Sequence, residues 1–353
     1  MSDGTFASPQ AAGRIRLTAV MPNYNHAVYL PNAIGAITAQ LGQDDELIVI
    51  DDASLDDSAA VISRLAAADP RVRLLRNSAN LGALVTLQRG LEAARGRCIY
   101  FAAADDEILP GFFEAALAVL DAHPRCALYC AEAVLRDGES GLVTGRRPMI
   151  RPLPRGGCVS AAQALDLFRK ADNFILTGSS VFRRALLLEK GGFDAANGSF
   201  ADGVLARKVA MTHGFYFDPR AAAIWNIFPA GLSRSTALDI EKARLALTDI
   251  PERLAHDRDF PEWYPALFER RWRFGAARLA IAAAPPDRDL VMVMGARTAL
   301  DRLTLGAISH IGWLRLWRLL ALLWISLRLR PFGLRGLILT AAARKLEALD
   351  RRG

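Results

Sequence analysis

Short apolar runs alternate with amphipathic stretches along the first 135 residues of the chain. Five runs have the length and the continuous apolar character of strands that are buried on both faces: residues 16–22, 46–52, 72–77, 97–103 and 126–133. Four stretches between them repeat their apolar residues at helical spacing: residues 29–40, 57–68, 83–95 and 111–122. This alternation, with short turns, predicts an α/β fold with a mostly parallel sheet flanked by helices.

The alternation stops after the fifth run. Residues 136–148 contain Asp-Gly and Ser-Gly pairs, which predict a hairpin or an irregular excursion. Helical spacing then returns at residues 160–170, 202–212 and 237–284, and a Pro-Pro pair follows. We therefore expect three segments: an α/β domain over residues 14–235, a helical extension over 236–311 and a basic amphipathic tail over 312–353.

The net charge of +7 is concentrated in that tail, which carries nine basic and two acidic residues. The rest of the chain is close to neutral, so the sequence does not predict a nucleic-acid partner. A basic segment rich in leucine and tryptophan instead indicates contact with an anionic membrane surface.

The tail contains no predicted membrane span. Between residues 313 and 329 the sequence is mostly apolar, but Arg315, Arg318 and Arg328 interrupt it. The run without charge, residues 319–327, is far shorter than the roughly 20 residues needed to cross a bilayer. An interfacial helix fits this pattern, and so does a core helix that packs on the α/β domain with its arginines directed outward.

The N-terminus lacks the basic and apolar regions of a secretory signal, and the four cysteines follow neither a disulfide nor a zinc pattern. We therefore expect a cytoplasmic protein, held peripherally at the inner face of the cell membrane.

Polar and aromatic residues recur where the predicted strands end. In strand order these are Pro22 with Tyr24, Asp51 with Asp52, Asn80, and Asp105 with Asp106. Ligands of open parallel sheets bind beyond the carboxyl ends of the strands. Carboxylates there can hold Mg²⁺ or Mn²⁺ against a diphosphate, or accept hydrogen bonds from a base or ribose. The pattern predicts a nucleoside diphosphate site, although each acidic pair by itself also fits a helix cap or a solvated turn.

Two other phosphate-binding devices are absent from the sequence. No G-x-G-x-x-G follows the first strand, and G-x-x-x-x-G-K-[ST] occurs nowhere. A dinucleotide oxidoreductase and a P-loop enzyme are therefore disfavoured.

Taken together, these segments resemble glycosyltransferase family 2, the inverting nucleotide-sugar transferases of the GT-A (Rossmann-like) fold. The resemblance covers roughly residues 16 to 235 and rests on AVMPNYNHAVYLPNAI, IVIDDASLDDS, NLG, ARGRCIYFAAADDEILP, TGSSVFRR, GGFD and SFADGVLARKVA. It implies transfer of a sugar, with inversion, from a nucleotide-diphosphate sugar to an acceptor hydroxyl. The expected donor is a UDP-sugar and the expected acceptor a glycan or a lipid-linked glycan, in synthesis of bacterial cell-surface polysaccharide or glycolipid.

The resemblance also implies roles for individual residues. Asp52 would contact the nucleobase with Asp51 beside it, while Pro22 and Tyr24 would line the nucleotide pocket and Asn80 would belong to the same site.

For the metal and the chemistry, Asp105 would be the second acid of the family's D-x-D motif and would bind Mg²⁺ or Mn²⁺. Asp106 would be the acid that often follows this motif. Asp202 would be the catalytic base, although a helix N-cap is an alternative for this residue.

The chain departs from the family pattern at three positions. Ala103 stands where the first acid of D-x-D is common, Gln88 replaces an asparagine, and Ala201 replaces a glutamate before the base. These departures leave open a non-catalytic, membrane-associated homologue that binds nucleotide sugars. A sugar nucleotidyltransferase is a weaker alternative, because it would need a glycine-rich basic loop after the first strand.

Overall fold

A computed structural model of the chain describes residues 15–172, 174–228 and 232–350. Its first part confirms the predicted alternation of strands and helices. The elements are β1 (Leu17–Asn23), α1 (Leu30–Thr38), β2 (Asp45–Asp51), α2 (Ser58–Ala68), β3 (Val72–Arg76), α3 (Ala83–Ala93) and β4 (Cys98–Phe101).

The next part completes the sheet and contains two 3₁₀ helices, at Thr177–Ser179 and Ala195–Phe200. Residues 136–148 belong to a hairpin, which confirms one of the two predicted alternatives. The elements are β5 (Glu107–Ile108), α4 (Phe112–Ala122), β6 (Leu128–Asp137), β7 (Val143–Arg147), β8 (Gly157–Val159), α5 (Ala161–Lys170), β9 (Ser180–Arg183), α6 (Arg184–Glu189), α7 (Ala201–His213) and β10 (Phe215–Ile227).

The main path of the sheet has the strand order β3-β2-β1-β4-β9-β6-β10-β5, with β7 and β8 attached to β6 and β10. Strands β1 to β4 are mutually parallel, and β9 is inserted antiparallel between β4 and β6. Strand β10 pairs in parallel with β6. The carboxyl ends of β1, β2, β4, β6 and β10 therefore share one edge with the amino end of β9.

Both faces of the central strand β1 are buried, as its apolar sequence predicts. Leu17 and Met21 belong to a core cluster with Ile34 from α1 and Phe113 from α4. Helix α3 approaches the opposite face so closely that a Cβ added at Gly90 would come 2.3 Å from a methyl carbon of Val20. Helices thus cover both faces of the sheet at β1, so a polar ligand can reach the sheet only at the strand ends.

The described residues form two compact units. The first contains residues 15–168, 172, 174–228 and 337–350, and the second contains residues 169–171 and 232–336. The helices of the second unit are α8 (Leu232–Leu238), α9 (Ile240–His256), α10 (Tyr264–Ala282), α11 (Arg288–Gly295), α12 (Ala299–Ser309) and α13 (Leu314–Leu329); α14 (Leu334–Asp350) begins there and continues into the first unit. The predicted division of the chain at residues 235 and 311 stays a prediction.

The C-terminal part of α14 is fixed to the first unit by polar contacts. Arg344 donates to the carboxylate of Glu132, at 2.6 Å, and to the Pro148 carbonyl, at 2.7 Å. The Thr340 hydroxyl accepts from the Arg151 N–H at 3.0 Å, and Arg151 also donates to Glu132. Glu132 is fully buried, and its charge is compensated by arginines from distant parts of the sequence.

Candidate active site

The ends of β1 and β2 are connected by a compact polar network. The Asn23 side-chain amide donates to Asp51 Oδ1 and to Ser54 Oγ, both at 3.1 Å, and the Asn25 N–H donates to Ser54 Oγ at 3.0 Å. Asn25 and Ala53 have left-handed backbone conformations, with φ of 57° and 58°. A left-handed alanine is unfavourable by about 1–2 kcal/mol, so the surrounding contacts must hold this turn in place.

Asp52 organises the loop that leads into α3. Its carboxylate accepts hydrogen bonds from the Asn77 side chain at 2.6 Å, the Leu81 N–H at 2.9 Å and the Gly82 N–H at 2.8 Å. Burial by itself would raise the pKa of Asp52, but these hydrogen bonds outweigh it and hold the pKa below its usual value. Asp52 is therefore an ionised carboxylate that fixes the backbone of Leu81 and Gly82, the two residues after Asn80.

The Thr86 side chain is a fourth partner of the Asp52 carboxylate, which has about four acceptor positions. The predicted contact to a nucleobase stays a prediction. The alternative that Asp51 and Asp52 cap α2 is wrong, since the cap residue is Asp57 and the Ser58 N–H donates to Asp56.

The other two residues predicted for the nucleotide pocket also lie at the end of β1. Pro22 pairs in register with Ile50 of β2 and is half-buried. The side chain of Tyr24, one residue past the strand, is exposed. Their roles in nucleotide binding stay predictions.

Asp105 and Asp106 follow β4 and are held by the end of β10. The Asn226 N–H donates to Asp106 Oδ1 at 2.9 Å, and the Asn226 side chain donates to the Asp105 carbonyl. Arg136, from the end of β6, in turn donates to the Asn226 side chain at 2.7 Å. Two neighbouring strands therefore fix the backbone of the acidic pair.

The two carboxylates of this pair differ in their surroundings. Burial, followed by the charge of Asp105, raises the pKa of Asp106 to about 7. No hydrogen bond to the Asp105 carboxylate comes from any residue that the structure describes. Asp105 is therefore the member of the pair that is free to bind a ligand.

The acidic pair fits a divalent cation that is held partly by a ligand. Within the described ranges, no group of three His, Cys, Asp or Glu side chains forms a complete metal cage. Magnesium in nucleotide enzymes is commonly bound by one or two carboxylates, with substrate phosphates and waters as further ligands. The free carboxylate of Asp105, beside a second acid, provides this kind of donor set.

Asp202 lies in the first turn of α7. Its carboxylate accepts from the Gly203 N–H at 2.6 Å and from the Thr177 hydroxyl at 3.0 Å. The N-cap of α7 is Phe200, so the alternative that Asp202 is this cap is wrong. The positive end of a helix favours a charged carboxylate at this position.

The 3₁₀ helix at Thr177–Ser179 lies next to both Asp202 and the acidic pair. The Tyr100 hydroxyl donates to the Gly178 carbonyl at 3.1 Å, and a Cβ added at Gly178 would come 3.8 Å from Asp106 Oδ2. Thr177, the preceding residue, binds Asp202. Asp106 and Asp202, 96 positions apart in the sequence, therefore both lie next to the 3₁₀ helix at Thr177–Ser179.

Gln88, one of the departures from the family pattern, supports the loop before Asp202. Its side-chain oxygen accepts from the Phe193 N–H at 2.8 Å. Gly192 has a φ of 70°, and a Cβ there would come 2.1 Å from the same oxygen. Ala201 is buried, so a larger residue at this position would have to displace its neighbours.

Sequence reasoning missed three residues of this site: Thr177, Asn226 and Asn77. Thr177 lies in the quoted segment TGSSVFRR, but no local signal showed that its hydroxyl reaches Asp202. Asn226 lies at the end of β10, which the sequence did not predict as a strand.

An open mixed sheet with carboxylates at one edge is the architecture of GT-A glycosyltransferases, and solved structures confirm this fold class. A mannosyltransferase from Pyrobaculum calidifontis, solved with GDP-Man and Mn²⁺, aligns with a TM-score of 0.55 at 19% identity, over 92% of this chain and 90% of that one. TarS residues 1–349 from S. aureus, solved with UDP-GlcNAc, align with a TM-score of 0.54 at 13% identity, over 89% and 91%.

At the level of sequence, residues 18–185 match the family model described as glycosyl transferase family 2. The succinoglycan biosynthesis protein ExoO of Rhizobium meliloti is 29% identical over 300 residues, which are 80% of this chain and 85% of ExoO. Over residues 18–185, this chain is therefore similar to glycosyl transferase family 2.

Proposed function

We propose that the protein transfers a sugar from a nucleotide-diphosphate sugar to an acceptor hydroxyl, with inversion at the anomeric carbon. The observation that carries this proposal is the arrangement at the sheet edge. There, the Asp105 carboxylate receives no hydrogen bond from the described residues, and Asp202 is half-buried. The 3₁₀ helix at Thr177–Ser179 lies next to both Asp202 and Asp106, the neighbour of Asp105.

In this reaction, Asp202 accepts the proton of the acceptor hydroxyl while the hydroxyl oxygen attacks the anomeric carbon. The bond from that carbon to the diphosphate breaks in the same displacement, so the configuration inverts and no covalent intermediate forms. Thr177 and the Gly203 N–H orient the Asp202 carboxylate. Asn226 holds Asp105 at the diphosphate end of the site.

Asp105 would hold the divalent cation, Mg²⁺ or Mn²⁺, with Asp106 beside it. The bound cation would supply positive charge to the departing nucleoside diphosphate. Pro22, Tyr24, Asp51, Asp52 and Asn80 would form the nucleotide pocket. A UDP-sugar is our proposed donor, and the neighbour solved with UDP-GlcNAc supports this choice.

We further propose that the acceptor is a glycan or a lipid-linked glycan of bacterial cell-surface polysaccharide or glycolipid synthesis. The similarity to a succinoglycan biosynthesis protein supports the polysaccharide. The basic, leucine-rich segment after residue 311 supports peripheral contact with the inner face of an anionic membrane. No helix in the described ranges combines the length and the apolar character that crossing a bilayer requires.

The alternative is a homologue that binds nucleotide sugars without turning them over. Ala103 favours it, because this position supplies no acid to the site. Slow hydrolysis of the donor in the presence of metal would identify an enzyme. Donor binding without any turnover, across a panel of acceptors, would identify a binding protein.

A thermal-shift screen tests the donor site directly. We expect a nucleoside diphosphate to raise the melting temperature, and Mn²⁺ to enlarge the increase, because a ligand that binds only the folded protein stabilises it. The proposal would be wrong if none of the common nucleoside diphosphates stabilised the protein, with or without Mn²⁺. The anomeric configuration of the product, measured by NMR, then tests inversion.

Thr177→Val is expected to lower kcat by about tenfold, because it removes one hydrogen bond to a charged carboxylate. Thr177→Ser keeps the hydroxyl and should restore most of the rate. The KM for the donor should be unchanged in both variants, because Thr177 orients Asp202 and not the nucleotide. A lowered melting temperature with an unchanged kcat in Thr177→Val would show that the hydroxyl is only structural.

A further inference from the structure

Helix α13 has one face in the core of the second unit. Its buried residues are spaced four apart along the helix: Trp317, Ala321, Ile325 and Leu329. They pack in a cluster with residues of α10 and α11, including Phe274 and Leu290. This face is packed, as the packed-helix alternative required, but its partners are helices of the second unit and not the α/β domain that this alternative named.

The opposite face of the same helix is apolar and exposed. Leu319, Leu323 and Leu327 are also four residues apart, and 54%, 56% and 61% of their surfaces are exposed. Leu322, beside them, is 37% exposed. Single exposed leucines are common, but four on one face of a 16-residue helix form a continuous apolar stripe. We call residues 319, 322, 323 and 327 the leucine stripe.

Arginines mark both ends of the leucine stripe. Arg315 is one helical turn before Leu319, Arg330 follows Leu327 by three residues, and both arginines are exposed. Residues 312–336 contain five arginines and no acidic residue. Near the start of the helix, the side chain of Trp313 is 68% exposed.

The remaining arginines of α13 have structural partners within the second unit. Arg328 donates to Asp301 at 2.6 Å, and Arg318 donates to the Ala283 carbonyl at 2.7 Å. These two arginines join α13 to other segments of the second unit. Arg315 and Arg330, at the two ends of the leucine stripe, are exposed instead.

We propose that the leucine stripe, with Arg315, Arg330 and Trp313, is the surface by which the protein docks on an anionic lipid bilayer. The helix lies flat, the leucines enter the acyl boundary and the arginines reach lipid phosphates. The leucine stripe extends over nine residues, 319–327, or ~13 Å along the helix axis, which is too short for a span. This inference specifies the membrane contact proposed above and does not depend on the transfer reaction.

The charges favour a bilayer over a second copy of this chain. If two stripes paired antiparallel, Arg315 of one copy would face Arg330 of the other. If they paired parallel, each arginine would face its own equivalent. Both arrangements oppose like charges without an acidic partner, whereas anionic phosphates complement both ends of the leucine stripe.

The test uses the full chain and point substitutions. A deletion from residue 311 would also remove the four core residues of α13 and the contacts of Arg344, so it could not separate docking from folding. The test variant combines Leu319→Gln, Leu323→Gln and Leu327→Gln. The matched control combines Leu142→Gln, Leu188→Gln and Leu245→Gln, three exposed leucines outside the stripe.

We expect the unaltered chain and the control to sediment with vesicles of phosphatidylcholine and phosphatidylglycerol, and less with phosphatidylcholine alone. The test variant should lose at least about tenfold in partitioning, because three leucines no longer enter the lipid. Added salt should weaken binding of the unaltered chain, because salt screens the arginines.

Three outcomes would overturn the inference in distinguishable ways. If the unaltered chain ignores anionic vesicles at low salt, the membrane contact itself is wrong. If the test variant binds as well as the control, the contact exists but uses another surface. If the unaltered chain forms a dimer that the test variant does not form, the stripe binds a second copy. Transfer activity enters none of these measurements.

Discussion

Asp105→Ala is expected to abolish sugar transfer and metal-dependent nucleotide binding while the fold stays intact. The carboxylate of Asp105 receives no hydrogen bond from the described residues, so its removal leaves no buried partner unsatisfied. The backbone of Asp105 keeps its bond to the Asn226 side chain. We therefore expect this variant to lose its function without losing stability.

The measurements are isothermal titration of a nucleoside diphosphate with Mn²⁺, a transfer assay and a thermal melt. Glu139→Ala is the matched control, because it removes an exposed acid from the turn between β6 and β7 and changes the net charge equally. Near-normal transfer by Asp105→Ala would refute the assignment of this residue to the metal. A large drop in melting temperature would show instead that the carboxylate supports the fold.

Asp202→Asn is expected to lower turnover by at least about a hundredfold while the affinity for the nucleotide survives. A general base contributes about 10²–10⁴ to the rate, and asparagine cannot accept the proton. The amide has nearly the same shape as the carboxylate and can still accept the hydrogen bond from Thr177, so the first turn of α7 should persist.

The comparison requires kcat for transfer and, separately, the dissociation constant of the donor. Asp194→Asn is the control, because Asp194 caps the short 3₁₀ helix that precedes α7 and has no role in the proposed reaction. We expect this control to keep most of its turnover. Equal losses of donor affinity and turnover in Asp202→Asn would indicate a structural role for Asp202 and would remove the proposed base.

The parallel part of the sheet could be predicted because each strand and helix has a recognisable pattern within its own short stretch of sequence. Each strand from β1 to β4 is a continuous apolar run, and each following helix repeats its apolar residues with the correct period. The carboxyl ends of parallel strands meet at one edge, so acids written after successive strands had to lie at that edge. That reasoning placed Asp52 and Asp105 without any knowledge of side-chain contacts.

Strand β10 could not be predicted in the same way. Its sequence includes Asp218-Pro219-Arg220, and proline lacks the N–H that a central strand donates. The structure accommodates this segment with shifts in pairing register between Asp218 and Ala223. The position of Asn226, and hence its hold on the acidic pair, depends on this irregular strand.

The sequence also does not show whether a carboxylate accepts hydrogen bonds from the rest of the protein. Asp52 and Asp105 follow their strands in similar ways. The Asp52 side chain nevertheless receives several hydrogen bonds, whereas the side chain of Asp105 receives none from the described residues. The difference arises from Asn77 and the loop at Gly82, which are 25 to 30 residues away from Asp52. Only the folded chain shows which acid is available to a ligand.

The contact between Arg344 and Glu132 joins residues that are 212 positions apart. During synthesis, β6 therefore leaves the ribosome long before this partner does. At 5–20 residues per second, the interval is on the order of 10–40 s. Throughout it, the Pro148 carbonyl and the Arg151 N–H lack the groups that bind them in the finished protein. The first unit, which carries the site, thus completes these polar contacts only after Arg344 has been synthesised.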